Sequence, residues 1–250
     1  MAPSFQDHFS SHAASYAAFR PEYPATLGTL IASRVPSLAL AVECGCGNGQ
    51  LSRLLAEHFA HVIATDASAD QIKHALPHPR ISYHVATAES VPIADGSADL
   101  VVAAQAAHWF DLPAFYSEAV RIAKPGAMIA LISYGSLRME GEVGQLVEIF
   151  HHDTLAHYWS PERALVEAGY SSLPFPFAEE AAPALAMEAS WSFHQLIGYI
   201  TTWSAVRALE KAGKDVLMQQ FTSELKEAWG DPQTIRDIRW PLAMRLGRMV

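Results

Sequence analysis

Residues 37–66 read SLALAVECGCGNGQLSRLLAEHFAHVIATD, and the order of chemistry in that stretch decides the fold. Residues 37–43 are a short apolar run that gives way at Gly45, and they read as a buried strand. Leu51, Leu54, Leu55 and Phe59 recur at helical spacing across residues 50–59. Residues 61–66 read as a second strand, ending on Asp66. Between strand and helix lie Gly45, Gly47 and Gly49, where backbone can approach a ligand that a Cβ would keep away. The helix start at Gln50 offers unpaired N–H groups. Asp66 stands 21 residues beyond Gly45, where a carboxylate can accept hydrogen bonds from both hydroxyls of a ribose. Loop and acid together describe a nucleoside-ligand site at the carboxyl edge of an open sheet.

Working outward, the same alternation continues. Residues 68–76 read as a helix with Ser68 at its N-cap, residues 81–85 and 99–104 as strands, and residues 127–133 as another. Asp111 caps a helix that runs to Ala123 and is stopped by Pro125-Gly126. Strand and helix at this pitch predict right-handed βαβ units: an α/β, Rossmann-like, doubly wound and mainly parallel sheet of seven strands. The rhythm breaks at residue 135. Residues 135–183, rich in aromatics, histidine and proline, read as a helical cap inserted over the active site. A strand over 184–192, helices over 193–210 and 215–229 and a final strand over 235–248 complete a single domain of residues 1–250.

Half of the 250 residues are hydrophobic, which excludes a disordered chain. Lys and Arg number 17 against 26 Asp and Glu, a net charge of −9 that argues against nucleic acid as partner. No run of 18 apolar residues appears, so no membrane span is expected, and the polar N-terminus does not read as a signal peptide. Cys44 and Cys46 are too close in sequence for an ordinary structural disulfide, and two thiols alone build no zinc site. The expected setting is the reducing cytoplasm. Oligomeric state is not legible.

Dinucleotide folds prefer G-x-G-x-x-G, whereas residues 43–49 follow E-x-G-x-G-x-G. A carboxylate at Glu43 would repel a pyrophosphate and can help hold an ammonium group, which favours S-adenosylmethionine. On VECGCGNGQLSRLLAEHF, ATDASADQI, ATAESVPIADGSADLVVAAQAAHWFD and EAVRIAKPGAMIALISYG, the chain resembles the class I S-adenosylmethionine-dependent methyltransferases of the type-11 group. HFSSHAASYAAFRPEYP, YWSPERALVEAGY and GYITTWSAV are similar to its trans-aconitate methyltransferase-like branch.

The resemblance implies that S-adenosylmethionine binds and leaves as S-adenosylhomocysteine. Glu43, Gly45, Gly47 and Gly49 would line its methionine and ribose, Asp66 the ribose hydroxyls, and Ala67 and Gln71 the adenosine. Thr87, Ala88 and Glu89 would face the adenine. Many relatives carry aspartate where Thr87 stands, so either Thr87 or Glu89 would accept the adenine amino group. Gln105 would lie near the transferred methyl, and Tyr16 and Arg20 would close over the site.

In-line transfer of a methyl needs nucleophile and sulfonium held collinear in a dry pocket. His108, four residues beyond the strand end at Ala104, is the candidate base; a histidine bonded only to backbone is the competing reading. Trp109, Tyr158, Trp159, Tyr199 and Trp203 are candidates for the wall of a small-molecule acceptor site, against ordinary core packing. Arg20, Arg138 and Arg163 offer an alternative anchor for an acidic acceptor. His8 and His12 lie four apart without a third ligand, and His151, His152, Asp153 and His157 read as a polar helix face, so no metal is expected. The alternatives are an NAD-dependent oxidoreductase on a related sheet and a binding protein without catalysis. A methyltransferase acting on RNA or protein fits less well, because there is no basic appendage and no N-P-P-Y-type motif beyond Ala104.

Overall fold

The computed structural model describes residues 21–249. Tyr16, Arg20, His8 and His12 lie outside the described residues. Helix α1 (Ala25–Ala32) leads into β1 (Leu40–Cys44), α2 (Gln50–Ala56), β2 (His61–Asp66), α3 (Ala69–Lys73), β3 (Ile81–Val85), β4 (Ala98–Ala104), α4 (Leu112–Ile122) and β5 (Ala123–Tyr134). There follow α5 (Gly141–Ile149), a π-helical turn (Phe150–Thr154), α6 (Arg163–Glu167), β6 (Ala178–Glu180), β7 (Leu185–Trp191), α7 (Phe193–Ile200), α8 (Ser204–Lys211), α9 (Asp215–Trp229) and β8 (Arg236–Arg248).

Among the described residues eight strands form one sheet in the order β3-β2-β1-β4-β5-β8, with β6 and β7 both beyond β8. The first five pair in parallel. β8 runs antiparallel to β5 with its second half, and beyond it β7 pairs Arg236–Leu242 while β6 pairs Leu246–Arg248. Eight strands therefore occupy seven positions, the last shared by two short strands. Every residue of β4 is buried, as a strand covered on both faces requires. Leu100, Val102, Ala130 and Ile132 face a core closed by α2 and by α7 to α9, whereas Val101, Ala103, Ile129 and Leu131 face α4.

Local chemistry sets most boundaries. The Ser68 hydroxyl accepts from Gln71 N–H and the Asp111 carboxylate from Ala114 N–H, capping α3 and α4. The single helix expected over 193–210 is two helices. The hydroxyls of Thr201 and Thr202 donate back to the carbonyls of Gly198 and Tyr199, and Trp203 turns extended to bury its ring. β5 starts at Ala123 rather than 127, and a register shift beside β4 takes up Pro125-Gly126. No described helix is long and apolar enough to cross a membrane.

The strand order changes direction between β1 and β4. In an open parallel sheet the crevice outside the strand ends at such a switch is where ligands bind. The glycine loop leaves the end of β1, and Gln105 to Trp109 leave the end of β4.

Candidate functional site

Gly45, Gly47 and Gly49 all adopt left-handed backbone, with φ of 69°, 55° and 83°. A Cβ at Gly45 would lie 2.5 Å from that of Ala106, so the loop and the segment after β4 meet in direct contact. A Cβ at Gly49 would strike the Tyr83 ring on β3, whereas Gly47 faces open space, with only Gln71 Oε1 within 4 Å. Asp66 reaches back from the end of β2. Its Oδ2 accepts from Gly47 N–H at 2.8 Å and its Oδ1 from Ser68 N–H at 2.8 Å. A bared loop with an ionisable acceptor at its rim suits a nucleoside carrying a vicinal diol.

Glu43 departs from the expected arrangement. It is 2% exposed and its Oε2 accepts the Ser52 hydroxyl of α2. Burial pushes its pKa up to about 8, against 4.5 ordinarily. Burial therefore favours its protonated form, and its bond to Ser52 ties β1 to α2. Cys44 and Cys46 are buried and free, and burial raises both thiols, Cys44 to about 12, which leaves them unreactive.

Thr87 is exposed and Ala88 buried just after β3, while Glu89 Oε1 accepts from Asp111 N–H at 3.0 Å. Ala67 is half-buried beside the Ser68 cap. Gln105 holds left-handed backbone, φ 56°, which is strained for a residue with a Cβ. Its Nε2 donates to Tyr134 O at 2.8 Å, and its Oε1 is buried without a partner.

Beyond Gln105 opens a cavity of about 140 Å³. His108, Trp109, Trp159, Tyr199 and Trp203 line it together with Arg163 and Arg207. Tyr158 packs against the core instead, and Arg138 pairs at the surface with Glu148. Tyr199 Oη accepts from Trp240 Nε1 at 3.1 Å, so its hydroxyl is part of the core's hydrogen bonding. Arg163 lies over the Trp159 ring, 4.8 Å from its centroid, and is held by Glu167. His108 Nδ1 shares a hydrogen bond of 2.8 Å with the Tyr170 hydroxyl. Burial first, then the Arg163 charge, lowers His108 to about 4, so its imidazole is neutral near pH 7.

His151 overturns the polar-face reading. His152, Asp153 and His157 are exposed as expected, but His151 is buried and lines the cavity. It sits in the π-helical turn that continues α5. The spacing of Val143, Val147 and His151 carried the signal, since each stands four residues from the next on one helix face. Arg207 and Tyr170 had no comparable local signal. Among the described residues no group of three or more His, Cys, Asp or Glu is placed to hold a metal.

These shifts oppose one another in pH. From pH 4.5 to about 8 folded Glu43 keeps a proton that the unfolded chain has released, so its contribution to stability falls as pH rises. Folded His108 and His151 titrate near 4 and 3 against 6.5 unfolded, so below pH 6.5 stability falls as pH falls. Glu43→Gln is expected to remove the loss between pH 6.5 and 8 and to steepen the fall in stability as pH drops from 6.5 to 4.5, where Glu43 otherwise offsets the two histidines. Urea midpoints across pH measure it, and an unchanged alkaline slope would contradict the burial argument.

Residues 42–131 match the model of the methyltransferase domain family. A protein of Dictyostelium discoideum described as a methyltransferase is 32% identical over 98% of this chain and 95% of its own length. A solved structure from Anaeromyxobacter dehalogenans, described as a type II methyltransferase, superposes with a TM-score of 0.87 at 44% identity, covering 93% of this chain and 99% of that one. A malonyl-[acyl-carrier protein] O-methyltransferase of Hahella chejuensis is 35% identical over 132 residues, 49% of this chain and 47% of its own.

Proposed function

Because the chain belongs to the class I S-adenosylmethionine-dependent methyltransferases, we propose that it methylates an oxygen or nitrogen of a small-molecule acceptor held in the cavity beyond Gln105. One observation carries the reading. Ala106 packs on Gly45 of the glycine loop while its neighbours Gln105 and His108 line the cavity, so loop and cavity are joined within three residues.

When bound, S-adenosylmethionine supplies a sulfonium methyl open to displacement by an acceptor lone pair. The left-handed glycines and Asp66 would hold it, with Ala67, Gln71, Thr87, Ala88 and Glu89 beside the adenosine. Gln105 lines the cavity next to Ala106 and is oriented by its bond to Tyr134. Trp109, Trp159, Tyr199 and Trp203 exclude water and position a flat acceptor. Tyr170 steadies the His108 ring. In the tautomer that donates Nδ1–H to Tyr170, Nε2 keeps a lone pair for a proton leaving the acceptor. We assign residues 135–183 as the cap of a single domain, and the chain to the trans-aconitate methyltransferase-like branch, on the segments named above. The acidic balance supports a small acceptor rather than nucleic acid, and the two free thiols a cytoplasmic setting.

The test is incubation with methyl-labelled S-adenosylmethionine and pooled small metabolites, with products read by mass spectrometry. A labelled small product supports the reading; label found only on protein or RNA overturns it. His108→Ala is then expected to lower kcat about tenfold, less than a well-matched base because its own basicity is weak. Affinity for S-adenosylhomocysteine should be unchanged. Full turnover would leave His108 a packing residue.

A further inference from the structure

His151 is a buried titratable side chain that methyl transfer as outlined does not use. It sits on the π-helical turn, 2% exposed, with its backbone carbonyl accepting from Trp159 Nε1 at 3.0 Å. Neither Nδ1 nor Nε2 has a hydrogen-bond partner. The nearest charged oxygen, Glu167 Oε1, is 3.6 Å from Nε2, beyond hydrogen-bonding distance, and is already taken by the Arg163 guanidinium. Trp159 and Trp203 flank the ring, with centroids 4.7 and 5.1 Å away. Protein interiors seldom leave a buried polar group unpaired, because its lost hydration is not replaced. Here the unpaired ring forms part of the wall of the cavity that we read as the acceptor pocket.

We propose that His151 is a specificity contact for the methyl acceptor, selecting flat compounds that carry an O–H or N–H group. Burial, then the Arg163 charge, lowers its pKa to about 3, so the ring is neutral and offers one N–H donor and one lone pair. Whichever ring nitrogen carries the proton, the other is left as an acceptor. A hydroxyl or ring N–H satisfies that acceptor, and the two indoles give its flat frame apolar faces. A compound of the same shape without a donor leaves the nitrogen bare, and the site discriminates against it.

The inference rests on the cavity being the acceptor pocket, and the experiment separates the two. The full chain is saturated with S-adenosylhomocysteine and titrated calorimetrically with 4-chlorophenol and its isostere 4-chlorotoluene. The phenol is expected to bind about tenfold more tightly. His151→Phe should bring the ratio close to one, and His151→Asn, which keeps a donor and an acceptor, should restore much of it. If the Phe variant does not fold, ¹⁵N spectra of the native chain decide. The phenol, but not the toluene, should move the His151 ring nitrogens, assigned by their loss in the Asn variant. Equal affinities, no binding of either probe, a ratio untouched by His151→Phe or unmoved nitrogens would each overturn the inference. If S-adenosylhomocysteine itself does not bind, the proposed function falls with it; if it binds and the ratio is one, only the role of His151 falls.

Discussion

Gly45→Ala is expected to destabilise the protein by about 2–5 kcal/mol and to abolish measurable binding of S-adenosylhomocysteine. Two costs combine. Left-handed backbone with a Cβ costs about 1–2 kcal/mol, and forcing a methyl into packed surroundings costs about 1–3 kcal/mol. The added Cβ would sit 2.5 Å from Ala106 Cβ and 3.2 Å from Phe110 Cζ, and neither can step aside freely. Ala106 follows Gln105, itself left-handed, and Phe110 packs on Phe115. The chain therefore relieves the clash by moving the loop, which misplaces Gly47 relative to Asp66. Urea unfolding measures the first effect and calorimetric titration the second. Native stability with native affinity would mean that the approach of loop and β4 end is dispensable. Gly47→Ala separates strain from clash, since Gly47 is also left-handed but faces open space. It should destabilise by about 1–2 kcal/mol, the backbone cost alone.

Asp66→Ala is expected to weaken S-adenosylhomocysteine about 100-fold, close to 3 kcal/mol, the upper range for hydrogen bonds to a charged group. The carboxylate acts twice. It clamps the loop through Gly47 N–H and, by the proposed reading, would accept from the ribose diol. Asp66→Asn keeps one acceptor oxygen and should fall between the two, with Gly47 retaining its partner. Titration of all three with S-adenosylhomocysteine distinguishes clamp from ligand contact. If Asn and Ala weaken binding equally, charge on the diol matters most; if affinity is unchanged in both, the ribose assignment is wrong.

The parts of the site that were legible in the sequence are those whose chemistry is local. Residues 43–49 show their glycines in the order in which the backbone needs left-handed torsions. Asp66 follows from strand length and helix length, because one βαβ unit brings the next strand tip beside the loop. Ser68 and Asp111 cap because a short polar side chain ahead of an apolar run meets free N–H groups. The setting of Glu43 is not legible, for the opposite reason. Its residue type suggested a charge at the loop, but the direction of its side chain depends on α2 folding back and presenting Ser52. The burial of His151 is hard to read because polar neighbours mask its four-residue spacing from Val143 and Val147.

From its sequence alone, this protein was determined to be a doubly wound α/β sheet with a glycine loop and an acid at adjoining strand tips. Torsional freedom, capping and apolar periodicity act between near neighbours in the chain, so the order of residues is enough to read them. Only the tertiary structure decided which side chains share the cavity: His108 beyond β4, His151 on its turn, Arg163 on α6, and Trp203 between α7 and α8. It also decided that burial favours the neutral forms of Glu43, His108 and His151. Convergence across a hundred residues and the loss of water around a buried charge arise from packing, and packing exists only once the layers have closed.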